Sequence, residues 1–172
     1  MKAEGRLHIY CGDGKGKTTA ALGLAVRMAG AGGNVGILQF LKNGWSSELE
    51  VLKSIPNISI LPSPKVNGFV FNMTELEKMA LKKEQNAALK NVFLKSFNLL
   101  ILDEALCAFE TNTLDISLFL KLIKTKPYSM EIVLTGRNAP SEISDMADYI
   151  SEIVKIKHPF DQGVLEKKGI EY

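Results

Sequence analysis

Short, nearly uninterrupted apolar runs alternate along the chain with longer stretches in which apolar residues recur every three or four positions. The short runs cover residues 7–11, 35–40, 58–61, 99–102, 131–134 and 149–156. A strand that is apolar at consecutive positions is one covered on both faces, so these runs predict strands of a parallel sheet sandwiched between helices. Residues 18–31 carry Ala20, Ala21, Leu24 and Met28 at helical spacing and stop at Gly32-Gly33. A second long helix is predicted to start at Thr74-Glu-Leu-Glu77 and to run to about Phe97. There Thr74 caps the first turn and Glu77 reaches back, a reciprocal capping box. Residues 115–124 and 141–147 are two further helix candidates. Residues 62–73, PSPKVNGFVFNM, show no period. A loop of that length in a compact domain is more often functional than idle. The ending HPFDQGVLEKKGIEY also lacks a period and is expected to pack irregularly across the sheet edge.

Composition narrows the class. At 172 residues the chain reads as one domain, residues 1–172. Lys and Arg number 21 against 19 acidic residues, a formal charge of +2, which makes nucleic acid an unexpected partner. The two cysteines, Cys11 and Cys107, have no paired spacing, so neither a disulfide framework nor a zinc site organises the fold. The opening MKAEGRLHIY lacks the apolar stretch of a signal peptide, and no run approaches the roughly 18 apolar residues of a membrane span. A soluble cytoplasmic protein with no membrane contact is expected.

The first apolar run leads directly into Gly12-Asp-Gly-Lys-Gly-Lys-Thr-Thr19 and then a helix, the context of a phosphate-binding loop. Glycines at 12, 14 and 16 allow the backbone to turn its N–H groups inward, and the helix adds the positive end of its dipole. Lys17 reaches phosphates, and the hydroxyl of Thr18 suits Mg²⁺. The usual pattern has a glycine where this chain has Cys11. The partner motif is Asn98-Leu-Leu-Ile-Leu-Asp-Glu104, a buried strand delivering Asp103 or Glu104 to the same rim as a metal ligand. Arg137, after the fifth strand, is either a phosphate contact or a structural ion-pair partner. His8 reads as a half-buried strand residue, Cys11 as a strand-end residue, His158 as tail packing or substrate contact, and Trp45 as packing or ring stacking. Spacing alone reaches a Mg-nucleotide protein and goes no further.

These residues resemble one family, the ATP:corrinoid adenosyltransferases of the CobA/BtuR/CobO type. The resemblance rests on the atypical loop from Gly12 to Ala21, on Val35-Gly-Ile-Leu-Gln-Phe-Leu-Lys42 with Trp45, and on Gly68-Phe69. It continues in Leu102-Asp-Glu104, Leu134-Thr-Gly-Arg137, Lys157-His158, Phe160-Asp161, Gly163 and Gly169-Ile-Glu-Tyr172. It implies a RecA-like P-loop fold with a mainly parallel six-stranded sheet, a homodimer, and transfer of the 5′-deoxyadenosyl group of ATP to Co(I) of a corrinoid with release of triphosphate. By matching position, Gly12, Asp13, Gly14, Lys15, Gly16, Lys17, Thr18 and Thr19, with Arg137, hold the nucleotide. Thr18 and Glu104, with Asp103, hold Mg²⁺. Phe69 and Phe71 displace the lower axial ligand of the corrinoid, easing its reduction by an electron donor such as a flavodoxin-like protein. Position 71 is Phe where better-known members have Trp, and Asp13 stands where they usually have Asn. Two alternatives stay open: a RecA-like ATPase, with Asp103-Glu104 activating water, and a nucleotide-gated corrinoid carrier without chemistry.

Overall fold

The computed structural model describes residues 4–42, 46–66, 68 and 70–171. Six strands form one sheet: β1 Leu7–Cys11, β2 Val35–Gln39, β3 Ile58–Ile60, β4 Leu99–Asp103, β5 Glu131–Thr135 and β6 Tyr149–Glu152. Their order is β3-β2-β4-β5-β1-β6, and every neighbouring pair is parallel. The helices are α1 Lys17–Gly30, α2 Ser47–Leu52, α3 Glu75–Phe93, α4 Ala105–Glu110, α5 Ile116–Ile123 and α6 Ser141–Ser144.

Successive strand residues point to opposite faces, and both faces are covered. Ile9, Leu38, Leu100, Leu102, Ile132 and Leu134 meet Leu89 of α3, Leu106 of α4 and Phe119 of α5. Val35, Ile37, Leu99, Ile101 and Val133 meet Ala21, Leu22 and Ala25 of α1 and Leu49 and Leu52 of α2. This double burial is why β2, β4 and β5 read as nearly continuous apolar runs, whereas β6, at the sheet edge, is exposed along its length. From β1 the chain passes over β5 and β4 to reach β2, with α1 packed against β1, β4 and β5. The carboxyl ends of β1, β2, β4 and β5 therefore open onto one rim, where an open parallel sheet binds its ligands.

Thr74 caps α3 as its spacing predicts. Its Oγ1 accepts the Glu77 N–H at 3.3 Å, and Glu77 Oε2 accepts the Thr74 N–H at 2.7 Å. The helix ends at Phe93 and not near Phe97, because Phe97 lies across Gly36, where an added Cβ would come within 2.8 Å of its ring. The helix expected over 141–147 stops at Ser144. The sixth strand ends at Glu152 and not at 156: the Ile153 carbonyl accepts the Gly14 N–H at 2.7 Å, drawing the chain off the sheet onto the loop after β1. Helices α2 and α4 had no sequence signal, since six residues hold less than two turns and show no period. Within the unpatterned loop, Val66 and Val70 are buried against Leu81 of α3, anchoring it at both points. The tail does not pack across the sheet edge; its described residues are largely exposed, and its contacts run back to the loop after β1. Among the described residues, no helix is long and apolar enough to cross a membrane.

Candidate active site

Strand β1 ends at Cys11, and the chain turns through Gly12 at φ 104° and Gly16 at φ 113°, values that favour glycine. A Cβ at Gly12 or Gly14 would also stand 2.4 or 2.7 Å from the Ile153 carbonyl oxygen. The N–H groups of these two glycines do not turn toward a phosphate as the sequence suggests. Gly12 donates to the Arg137 carbonyl at 2.8 Å and Gly14 to that of Ile153 at 2.7 Å, so both pin the loop to its neighbours. The donors that could cradle an anion lie one step further on. Gly16 precedes α1 with no side-chain cap, and the first-turn N–H groups of Lys17, Thr18 and Thr19 have no carbonyl within the helix to accept them. Those donors and the helix dipole face the rim.

The side chains of the loop divide by role. Lys17 folds back so that Nζ donates to the Gly14 carbonyl at 2.7 Å. Lys15 pairs with Glu171 of the tail at 3.2 Å. Asp13 Oδ1 accepts the Lys155 N–H at 2.9 Å, a bond that holds its carboxyl below the usual range. Asp13 is thus tied to the tail segment, with its charge opposed to a phosphate. Thr19 and Arg137 are exposed at the same rim.

The centre of the rim is Asp103, fully buried at the end of β4. Its Oδ1 accepts the Thr18 hydroxyl at 2.9 Å and the Thr135 hydroxyl at 2.7 Å. Its Oδ2 accepts Gln39 Nε2 at 3.0 Å and Lys42 Nζ at 2.6 Å. Burial alone would raise this carboxyl; the Lys42 ammonium and the hydrogen bonds outweigh it and hold the group below the ordinary range. With four donors on two oxygens, Asp103 orients its neighbours. Glu104 follows in the left-handed region at φ 59°, its N–H bonded to the Thr135 hydroxyl at 2.9 Å. Its carboxylate sits beside Cys107, whose thiol is pushed up to about 12 by burial and then by the Glu104 charge and hydrogen bond. Burial raises Cys11 as well, so neither cysteine is a ready nucleophile.

The donor set fits Mg²⁺. Thr18 commits its proton to Asp103, leaving its oxygen lone pairs for a cation, and Glu104 offers a second hard oxygen at the rim. Among the described residues no group of three or more His, Cys, Asp and Glu gathers as a metal cage.

Gln39, Lys42 and Thr135 carried no assigned role in the sequence, although Gln39 and Thr135 are the polar last residues of the buried strands β2 and β5 and Lys42 follows β2 closely. Phe71 projects from the anchored loop with 77 % of its surface exposed. Phe69 and Trp45 lie outside the described residues. His8 bonds Glu131 at 3.0 Å and stacks on Tyr149. His158 Nδ1 accepts the Phe160 N–H at 3.2 Å within the tail.

The family model for ATP:corrinoid adenosyltransferase BtuR/CobO/CobP matches residues 3–172. The chain is 31% identical over 177 residues to corrinoid adenosyltransferase CobA of Salmonella typhimurium, covering 100% of this chain and 88% of that protein. It is 29% identical over 170 residues to the corrinoid adenosyltransferase of Escherichia coli K12, covering 98% and 86%. It is 29% identical over 171 residues to that of Pseudomonas aeruginosa, covering 98% and 84%. A phosphate-loop α/β sheet, a rim centred on Asp103 and a match along nearly the whole length lead to one assignment: the chain belongs to the ATP:corrinoid adenosyltransferase family, a family of enzymes.

Proposed function

We propose that residues 1–172 act as one domain that transfers the 5′-deoxyadenosyl group of ATP to Co(I) of a corrinoid and releases triphosphate. The observation that supports this reading is the match of residues 3–172 to the corrinoid adenosyltransferase family, with a rim whose buried acid, Asp103, has both oxygens engaged and serves to position Thr18. Alkyl transfer needs no general base. Co(I) is itself a strong nucleophile and C5′ surrenders no proton, so the protein has only to align the two and stabilise charge on the leaving triphosphate.

In this reading the first-turn N–H groups of α1 and Lys17 hold the triphosphate. Lys17 exchanges the Gly14 carbonyl for phosphate oxygens. Thr18 and Glu104 hold Mg²⁺, which when bound supplies positive charge to the phosphates. Asp103 fixes the Thr18 hydroxyl, and Lys42 and Gln39 fix Asp103. Phe71 and Phe69 press on the lower face of the corrinoid and keep its axial ligand away, so that an electron donor such as a flavodoxin-like protein can deliver the reducing electron. The enzyme works as a cytoplasmic homodimer. The test is turnover with Mg-ATP and chemically reduced cobalamin, with phosphorus products resolved. Triphosphate and a new alkyl-cobalt absorbance are expected; orthophosphate as the sole primary product would return the protein to the ATPases. Binding of both ligands with no product would make it a carrier.

A further inference from the structure

The tail that follows β6 comes back onto the loop after β1. Near its root the contacts use its backbone: the Ile153 carbonyl accepts the Gly14 N–H at 2.7 Å, and the Lys155 N–H donates to Asp13 Oδ1 at 2.9 Å. Its far end returns through a side chain. Glu171 Oε1 accepts Lys15 Nζ at 3.2 Å, while Oε2 accepts the Lys167 N–H at 2.8 Å. The Glu171 N–H donates in turn to the Lys167 carbonyl at 2.9 Å, so residues 167–171 close a turn, through Gly169 at φ 77°, that presents one carboxylate to the loop. The Lys167 N–H and then Lys15 hold that carboxyl below its usual range, and its side chain is only 21 % exposed. Of the two lysines between Gly12 and Thr19, Lys17 rests on the Gly14 carbonyl and Lys15 on Glu171. Both ammonium groups are thus occupied by oxygens of the chain itself.

A carboxylate on a lysine of a phosphate loop occupies that lysine in place of a phosphate oxygen. The Lys15 side chain is 45 % exposed, and an ion pair so open to water is weak. A polyphosphate brings several charges to the same ammonium and displaces a single carboxylate from it. Glu171 would then stand beside like charge and be repelled. The backbone contacts of Ile153 and Lys155 do not involve the Lys15 ammonium, so the tail keeps its root while residues 167–171 leave the loop. We propose that Glu171 is a positioning residue that holds Lys15 in the empty enzyme, yields it to the triphosphate when nucleotide binds, and on retaking it helps to expel the triphosphate product. The inference rests on the adenosyltransferase reading and deepens it with a device for product release. Such a device suits a reaction that leaves the whole triphosphate behind, because that product keeps every phosphate contact of the substrate and loses only those of the nucleoside.

The test measures binding of inorganic triphosphate with Mg²⁺ to the whole protein by calorimetry, and inhibition of turnover by added triphosphate. Glu171→Gln is expected to bind triphosphate about fivefold more tightly than wild type at low salt and to be inhibited at correspondingly lower concentration, the difference narrowing as ionic strength rises. Glu171→Asp, which keeps the charge, should stay within about twofold of wild type. In a Lys15→Gln background the Gln substitution should gain less than about twofold, because the pair is already broken; an equal gain there overturns the proposal. In the wild type, hydrogen exchange across residues 165–171 should rise several-fold when triphosphate binds. A tail that only braces the fold predicts a Glu171→Gln variant that melts lower and binds triphosphate no more tightly, and that result overturns the proposal. So does tail exchange that slows on binding, since the tail would then be a lid that closes. Binding of triphosphate needs no corrinoid, so the two readings fail separately. Tighter binding by the Gln variant without adenosyl transfer would support the hold on Lys15 and remove the adenosyltransferase reading, whereas equal binding with the corrinoid adenosylated would do the reverse. A wild type that does not bind triphosphate overturns this inference outright.

Discussion

Asp103 and Lys42 are a buried carboxylate and a lysine with only 26 % of its side chain exposed, 2.6 Å apart. Removing the lysine strands a charge in the core, which costs about 3 kcal/mol. Lys42→Met is therefore expected to melt roughly 6 to 12 °C below wild type. The pH dependence has a definite sign. In the wild type the folded carboxyl lies below its ordinary value of about 3.9, so its stabilisation is present above that pH and is lost as pH falls through the folded value. Without Lys42, burial becomes the dominant influence and pushes the carboxyl up. The stability gap between variant and wild type should then be widest near neutrality and close toward pH 4, as urea melts across that range would record. Phe71 offers a contrast, since it is exposed and contributes little to the core. Phe71→Ala should leave the melting temperature within about 1 °C, as surface changes do. It should slow adenosylation that starts from Co(II) several-fold more than adenosylation from preformed Co(I). Equal losses from both states would exclude the wedge role.

At the scale of elements, the proposed phosphate cradle is the start of α1, where Lys17 and Thr18 lie part-buried at the rim and outside the apolar core. Lys17→Ala and Thr18→Ala should fold normally while losing tenfold or more in turnover, the equivalent of about 1.5 to 3 kcal/mol of charge-assisted contact. Thr18→Ser should retain most activity, because it keeps the hydroxyl that bonds Asp103. Steady-state rates on variants with wild-type circular dichroism would check both statements. Helix α3 tests a purely structural feature. Its capping box lies on the surface, far from any chemistry in this reading, so Thr74→Ala should lower stability by about 1 kcal/mol, roughly 2 to 4 °C, with kcat unchanged.

For the whole molecule, a ligand that binds only the folded chain raises its stability by mass action. Mg-ATP at a hundred times its Kd should add about 2.7 kcal/mol, some 5 to 11 °C in melting temperature. Lys17→Ala should lose most of that shift, which a thermal scan would show. The sequence by itself determined what local chemistry dictates. Consecutive apolar residues marked the central strands because both faces of the sheet are covered there, Thr74 and Glu77 fixed a helix start because the box closes within four residues, and Gly12 to Thr19 marked the phosphate loop because glycines and a following helix are a contiguous requirement. Only the tertiary structure decided that the N–H groups of Gly12 and Gly14 are already committed, since they are taken by Arg137 and Ile153, more than a hundred residues away. It also decided that both oxygens of Asp103 are engaged, because Thr18, Thr135 and the Gln39–Lys42 end of β2 come from three separate places in the chain and meet only when β1, β2, β4 and β5 lie side by side. Periodicity records which face of an element is buried; it holds no information about which distant partner supplies a hydrogen bond, and that is settled by strand order.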